Sequence, residues 1–246
     1  MPHLPLFPNP DFAGRSLRGT YGDIIEELDH SLSRVLDALV AEDLTQNTLV
    51  VFTSDNGPWI HWRTNTLERL NVGDSGPFRD GKGSGWEGGV RVPGVFWWPG
   101  VIAPGRVSME PASTLDLLPT IFRLGGEPLP DGRTIDGRDL APVLAPALFP
   151  GAVPEFKFFY TDGANIVSGV REGPWKLHTR IYTQTGENYG FRNVSFANPL
   201  LFQVEQDIGE RFNLRTNNGA KAEELLNELS TFNVQANGES TFWDRN

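Results

Sequence analysis

The sequence contains no cysteine. Disulfides, thiolate zinc sites and a cysteine nucleophile are therefore excluded for this chain as written. Basic residues are also scarce: 21 Lys and Arg face 31 Asp and Glu, a net charge of -10. That balance excludes the basic footprint of a nucleic-acid binder. It also means that an anionic substrate would need a local positive centre to approach the protein. No apolar run approaches the roughly 18 residues of a membrane-spanning helix. The opening stretch MPHLPLFPNPDF lacks the charged segment and apolar core of a secretory signal, and its prolines read as the middle of a loop. What the chain has is 39% apolar residues, with 7 Trp and 16 Phe in 246 residues. That is enough for one large domain, or a domain with a small satellite, around a sizeable core.

Apolar residues recur at three- and four-residue spacing from Gly19 to Glu42: Ile24, Leu28, Leu32, Val35, Leu36 and Leu39 predict a helix. Asp23, Glu26 and Glu27 fall in its early turns, where the helix dipole favours acids. A buried strand is expected over 48–53, and a helix followed closely by a strand is an α/β signature. Residues 57–92 read as a long irregular stretch, with seven glycines between Gly73 and Gly89. A loop of that length is usually functional or disordered, and Trp59, Trp62, Phe78 and Trp86 argue against disorder. Val95 to Trp98 reads as a second buried strand. Ser113 or Thr114 caps a helix that runs to about Leu124 and is closed by Gly125 and Gly126.

The pattern changes after about residue 150. Strands are expected at Phe156–Tyr160, Ile166–Arg171, Trp175–Arg180 and Pro199–Val204, with a hairpin turn at Gly173-Pro174. A helix from about Ala220 to Leu229 completes a small antiparallel sheet with one helix packed on it.

Three places carry chemistry. Strand 48–53 runs into Asp55-Asn56-Gly57, which suits a turn. The turn is the favoured reading of the three residues alone; the other is a hard-cation site, since a carboxylate and an amide carbonyl are the oxygen ligands that Ca2+ or Mg2+ takes. Ligands of open α/β sheets bind at that end of the strands. Lys82 stands among glycines in Arg79-Asp80-Gly81-Lys82-Gly83-Ser84-Gly85, where the backbone can approach an oxyanion and the lysine offers a point charge. Its bland alternative is a solvated loop lysine. Gly76 to Lys82 also matches the first seven positions of a nucleotide P-loop. The eighth is Gly83, and the glycines that follow do not read as a helix, so that reading is rejected. His3, between Pro2 and the Leu4-Pro5 pair, is either a solvated bystander or a proton donor to a leaving group.

Taken in order, these segments resemble the sulfatases of the alkaline-phosphatase-like superfamily, most closely the arylsulfatase branch. The matching residues are MPHLP at 1–5, RGTYGDIIEELD at 18–29, TLVVFTSDNGP at 48–58 and DGKGSGWEGGVRVP at 80–93. WWPG at 97–100, STLDLLPT at 113–120, IDGRDL at 135–140 and VREGPWKL at 170–177 continue the series. The resemblance implies a partial alkaline-phosphatase-like α/β sandwich. Residues 1–150 would be the C-terminal portion of the catalytic core, and 151–246 a small subdomain of antiparallel sheet plus helix. It implies that Asp55 and Asn56 are two ligands of the active-site divalent cation, usually Ca2+. Lys82 would contact the substrate sulfate, and His3 the ester near the leaving oxygen.

The departures are equally informative. The family's Cys-x-Pro-x-Arg or Ser-x-Pro-x-Arg segment, whose first residue becomes the formylglycine nucleophile, is absent. So are the family's other metal-binding aspartates and its second lysine and histidine. The sequence is therefore expected to begin partway through a sulfatase, with formylglycine on the missing N-terminal part. In the complete enzyme the expected activity is hydrolysis of a sulfate monoester, an aryl sulfate or sulfated sugar, with this chain inactive alone. The alternatives are a non-catalytic binding module that keeps the fold, or a phosphatase or phosphodiesterase of the same superfamily. Trp59, His61, Trp62 and Arg63 are candidates for the pocket lining. A parallel sheet lacking its first strands would leave open edges, so aggregation or a need for the N-terminal half is expected. The chain itself does not report its compartment; a full-length family member would be periplasmic, secreted or lysosomal.

Overall fold

The computed structural model describes residues 2–60, 72–132, 134–161, 166–183 and 192–238. Its contacts divide the chain into two compact units. One comprises Met1–Ser33, Ser54–Val92 and Lys157–Asn246, the other Arg34–Thr53 and Pro93–Phe156. No described helix is long and apolar enough to cross a membrane.

In the first unit, four antiparallel strands lie in sequence order: β3 (Lys157–Thr161), β4 (Val167–Glu172), β5 (Trp175–Thr183) and β6 (Arg192–Gln203). Gly173 turns β4 into β5 with a φ of 51°, a conformation that costs glycine little. Period-two alternation sends Val170, Leu177 and Leu201 to one face, where they pack on Ala222, Leu225 and Leu229 of α5 (Gly219–Gly238). The opposite face carries Lys176 and His178. A register shift between His178 and Arg180 then changes the parity of β5. Ile181 and Thr183 consequently join Lys176 and His178, and Ile181 packs with Trp86, Phe202 and Val204. Trp86 comes from the glycine-rich stretch, so that stretch forms the layer opposite α5. β6 and α5 are both longer than the sequence pattern suggested, and β6 pairs with β5 from Arg192 to Gln203 across a register shift.

The same unit holds the start of α1 (Gly19–Ala41). The first turn of α1 contains no acid, which corrects the dipole role expected for Asp23. Asp23 instead accepts from the backbone N–H groups of Gly14 and Ser16, at 2.9 and 2.8 Å. Those bonds tie the proline-rich opening loop to the helix and hold the carboxyl below its ordinary range.

In the second unit, β1 (Val50–Thr53) pairs with β2 (Gly94–Trp97), Val50 opposite Trp97. That pairing is antiparallel, as are all strand pairs among the described residues, which corrects the expectation of a parallel sheet. α3 (Leu117–Gly125) follows a 3-10 turn at Thr114–Asp116 and opens with a capping box. The Ser113 side chain accepts from Leu115 N–H, and Asp116 accepts from Ser113 N–H. Gly126 closes the helix at φ 73°. The Arg138 guanidinium donates to the carbonyls of Pro154 and Pro111, at 2.6 Å each, and pairs with Asp116 at 3.4 Å and Glu110 at 3.1 Å. A short α4 (Ala141–Leu144) follows.

Candidate functional site

β1 ends at Thr53, and the next five residues enter the first unit as an irregular segment. Asp55 is exposed and Asn56 half-buried. The Ser54 hydroxyl donates to Asn56 O at 3.1 Å and reaches Asp55 Oδ1 only at 3.4 Å. The Asn56 Nδ2 donates to Gly57 O at 2.9 Å, so its Oδ1 is the side-chain acceptor that remains. The segment is a bend that presents one carboxylate and one amide oxygen.

Backbone bonds join this bend to the glycine-rich stretch. Gly57 N–H donates to Gly89 O at 2.9 Å, and Lys82 N–H donates to Pro58 O at 2.7 Å. The approach is so close that only glycine fits. A Cβ on Gly57 would lie 1.9 Å from Gly88 O, and one on Gly81 would lie 2.5 Å from Pro58 O. A Cβ on Gly88 would meet Asp80 O at 2.2 Å. These contacts account for the glycine density and for α2 (Glu87–Val90), a four-residue helix the glycines did not suggest. Without Cβ atoms, its first turn lies directly on the backbone of 79–81.

The structure therefore brings Asn56 and Lys82 into neighbouring segments. Lys82 is half-buried, and among the described residues its ammonium makes no ion pair. His3 is exposed, with Nδ1 2.8 Å from the Leu4 carbonyl. A carbonyl only accepts, so Nδ1 carries the proton and Nε2 is the other ring nitrogen available for a hydrogen bond. Among the described residues no hydrogen bond or ion pair joins His3 to Asp55, Asn56 or Lys82. Of the expected pocket residues, His61, Trp62 and Arg63 lie outside the described residues, and Trp59 is half-buried.

Behind Lys82 lies a group of ionisable residues that sequence reasoning did not single out. Glu87, Lys176, His178 and Glu210 are 1%, 0%, 0% and 0% exposed. Lys176 Nζ is 2.9 Å from Glu87 Oε1 and 3.1 Å from Glu210 Oε1. His178 Nε2 lies 3.1 Å from that same Glu210 oxygen. Burial works against the Glu210 carboxylate, but Lys176 and the His178 hydrogen bond outweigh it and hold the carboxyl at about 2. Burial lowers His178, which is neutral with its proton on Nε2. Lys176 stays charged: its carboxylate neighbours overcome desolvation and raise it. One signal was present in the sequence. Trp175-Lys176-Leu177-His178 places two ionisable side chains on alternate positions of a strand whose other face is core, and Glu87 follows Trp86 directly.

Glu172, Glu224 and Glu228 place carboxylate oxygens within 4.8 Å of one another near α5. Lys157 already bridges Glu172 and Glu228 at 2.8 Å each, and Lys221 pairs Glu172, so this is a salt-bridge network with its own cations.

A sulfatase family model matches residues 2–127, just over half of the chain. The chain belongs to the sulfatase family. Among curated sulfatases, it is 39% identical to the steryl-sulfatase of Mus musculus over 92% of this chain and 38% of that protein. It is 39% identical to human arylsulfatase A over 92% of this chain and 45% of the relative. It is 36% identical to the N-acetylgalactosamine-6-sulfatase of Rattus norvegicus over 87% of this chain and 42% of the relative. The chain thus spans between 38% and 45% of the length of these sulfatases. A solved Bacteroides thetaiotaomicron structure described under the metabolism of multiple glycosaminoglycans superposes with TM-score 0.77 at 28% identity, covering 94% of this chain and 48% of that one. A sulfatase from Pseudoalteromonas sp. shares the fold at TM-score 0.80 and 24% identity, over 94% of this chain and 46% of that one. These likenesses bear out the alkaline-phosphatase-like fold expected from the sequence.

Proposed function

We propose that this sulfatase chain supplies the cation-facing bend and the sulfate-facing lysine of a sulfuric ester hydrolase. The substrate would be a sulfate monoester of an aryl, steryl or sugar alcohol, the classes named by its relatives. The supporting observation is the backbone join between the Asp55-Asn56 bend and the Lys82 loop, through Lys82 N–H to Pro58 O at 2.7 Å.

Asp55 and Asn56 suit a hard cation such as Ca2+, for which a carboxylate and an amide oxygen are proper donors. Two side chains fall short of the six to eight oxygens Ca2+ takes, so the other ligands belong to sequence outside this chain. The cation, when bound, withdraws charge from the sulfate oxygens. Lys82 adds a second positive centre within an acidic protein, where the field of the surrounding carboxylates opposes an incoming anion. His3 would protonate the leaving oxygen as the S–O bond breaks. The formylglycine nucleophile would come from the N-terminal part. Residues 1–150 would then be the C-terminal portion of the catalytic core and 151–246 the small subdomain.

The test begins with the DNA upstream of Met1, where an in-frame segment encoding Cys-x-Pro-x-Arg is expected. The longer protein should hydrolyse an aryl sulfate, and Lys82→Ala should lower kcat/KM by about 100-fold or more, as loss of one oxyanion donor does. A longer protein that hydrolyses the ester equally well with Lys82→Ala would overturn the assignment.

A further inference from the structure

The segment that carries Lys82 is held at both ends by residues more than 80 positions away in the chain. At one end Asp80 adopts a φ of 61° and is 5% exposed. Its Oδ1 accepts from Gly81 N–H at 2.8 Å, and its Oδ2 accepts from the Thr183 hydroxyl on β5. At the other end Glu87 accepts from Lys176 at 2.9 Å and pairs with Arg171 at 3.4 Å. The Glu87 N–H donates to Glu210 Oε2 at 2.6 Å. Just before Asp80, the Arg79 guanidinium donates to Glu210 O at 2.9 Å and lies 3.7 Å from the Trp86 ring.

A fully buried ionic group is a poor way to gain stability, because desolvation offsets most of the attraction and apolar side chains of the same volume usually do as well. Trp86, Ile181 and Phe202 show that apolar packing is available at this place. What charged hydrogen bonds add is direction and distance: Lys176 can satisfy Glu87 and Glu210 together only if α2 sits in one position on the sheet. Fixing α2 and Asp80 fixes the five residues from Gly81 to Gly85, Lys82 among them.

We infer that Lys176 and Glu210 are positioning residues, through which the C-terminal sheet sets where the Lys82 loop stands. This inference rests on the proposed role of Lys82 for its catalytic meaning, but its mechanical part can be tested separately. The Lys82 amide donates to Pro58 O, and those of Ser84, Gly88 and Gly89 donate within the glycine-rich stretch. Their hydrogen exchange in this chain would be compared among the wild type, Lys176→Met, Glu210→Gln and Leu225→Ala. Leu225, on α5, packs against the opposite face of the same sheet and makes a control for general loss of stability. In Lys176→Met the loop amides should exchange about 10-fold faster than in the wild type while those of Leu177 and Leu201 change less, a local opening. Glu210→Gln, which keeps an acceptor for Glu87 N–H, should open the loop less. Leu225→Ala should speed the core amides with no excess in the loop. Loop and core amides moving together in both charge variants would overturn the inference. If Lys176→Met does not fold, Glu210→Gln decides between the outcomes: its loop amides must still move more than its core.

Titration with inorganic sulfate, followed at the Lys82 amide, separates the two readings. Weakening by about 10-fold in Lys176→Met, the usual scale for a supporting group, extends the positioning to the anion. A wild-type chain indifferent to sulfate counts against Lys82 as the sulfate contact and leaves the exchange result standing.

Discussion

At the scale of single residues, the unusual feature is how much charge lies out of reach of water. Removing one partner from a buried pair leaves the other uncompensated, so Glu87→Ala should destabilise the fold by about 3–5 kcal/mol in a denaturant titration. Leu or Val side chains lost elsewhere in the core should fall in the same range, but without any dependence on pH. The pH dependence follows from two groups. The folded state holds Glu210 at about 2 against an ordinary 4.5, so on acidification the unfolded chain takes up its proton first. That stability is present above about pH 4.5 and is lost as pH falls toward 2. His178 acts in the same direction at higher pH. Burial lowers it, so the unfolded chain protonates near 6.5 while the folded one stays neutral, and stability declines once pH drops below that value. Thermal midpoints measured from neutral pH downward should fall in two stages. In His178→Gln the upper stage should vanish and the lower stage remain; a wild type with a flat midpoint between about pH 7 and 5 would contradict the assignment of His178 as buried and neutral.

At the scale of elements, local signals and long-range ones separate cleanly. α1, α3 and β3 to β5 begin and end within a few residues of where periodicity and turn residues place them. The Ser113 cap was readable because a capping box is made by residues three apart, and Ser113→Ala should cost about 1 kcal/mol in thermal stability. The antiparallel pairing of β1 with β2 was not readable. Each strand's pattern is the same whichever direction its partner runs, and the two are separated by the whole glycine-rich stretch. Nor was the cluster of Glu87, Lys176 and Glu210 readable, since its members approach only after β4, β5 and the turn following β6 have formed. The bend at Asp55 is an intermediate case. Its residue types pointed to a turn or a cation site, and the structure shows the bend, held by the Ser54 and Asn56 side chains. Glycine density was legible, but its cause was not: backbone packing between Gly57 and Gly88. A Cβ at Gly57 has only backbone to push against, so Gly57→Ala should cost about 3 kcal/mol, near the upper end of overpacking penalties. Gly94→Ala is the control, because a Cβ there would meet nothing within 4 Å. It should shift stability by less than about 0.5 kcal/mol. Equal effects of the two substitutions would refute the close-packing explanation.

At the scale of the whole chain, the two units differ in how they treat apolar surface. The first packs apolar clusters on both faces of its four-stranded sheet, with Leu17 and Phe212 left exposed away from them. The second leaves Val95 at 53%, Leu118 at 45%, Ile121 at 53% and Met109 at 83% exposure. Leu118 and Ile121 are one turn apart on α3, so they extend a single stripe. Only two strands form its sheet, and β1 and β2 each present an unpaired edge among the described residues. A two-stranded sheet is marginal in water without a third strand or a covering layer. Open edges and contiguous apolar surface are what a folded chain normally covers. The curated sulfatases it matches are more than twice as long as the part this chain spans, and such sulfatases therefore carry further sequence that could supply that cover. Purified alone, the chain should self-associate in sedimentation velocity at micromolar concentration and bind an apolar dye. Hydrogen exchange should be fast across β1, β2 and α3 and slow across β4 to β6. Adding the sequence that precedes Met1, on the same chain, should abolish dye binding and protect the β1 and β2 amides. A monomer with a sharp, reversible melting transition and uniformly slow exchange would show instead that the second unit is complete without further sequence.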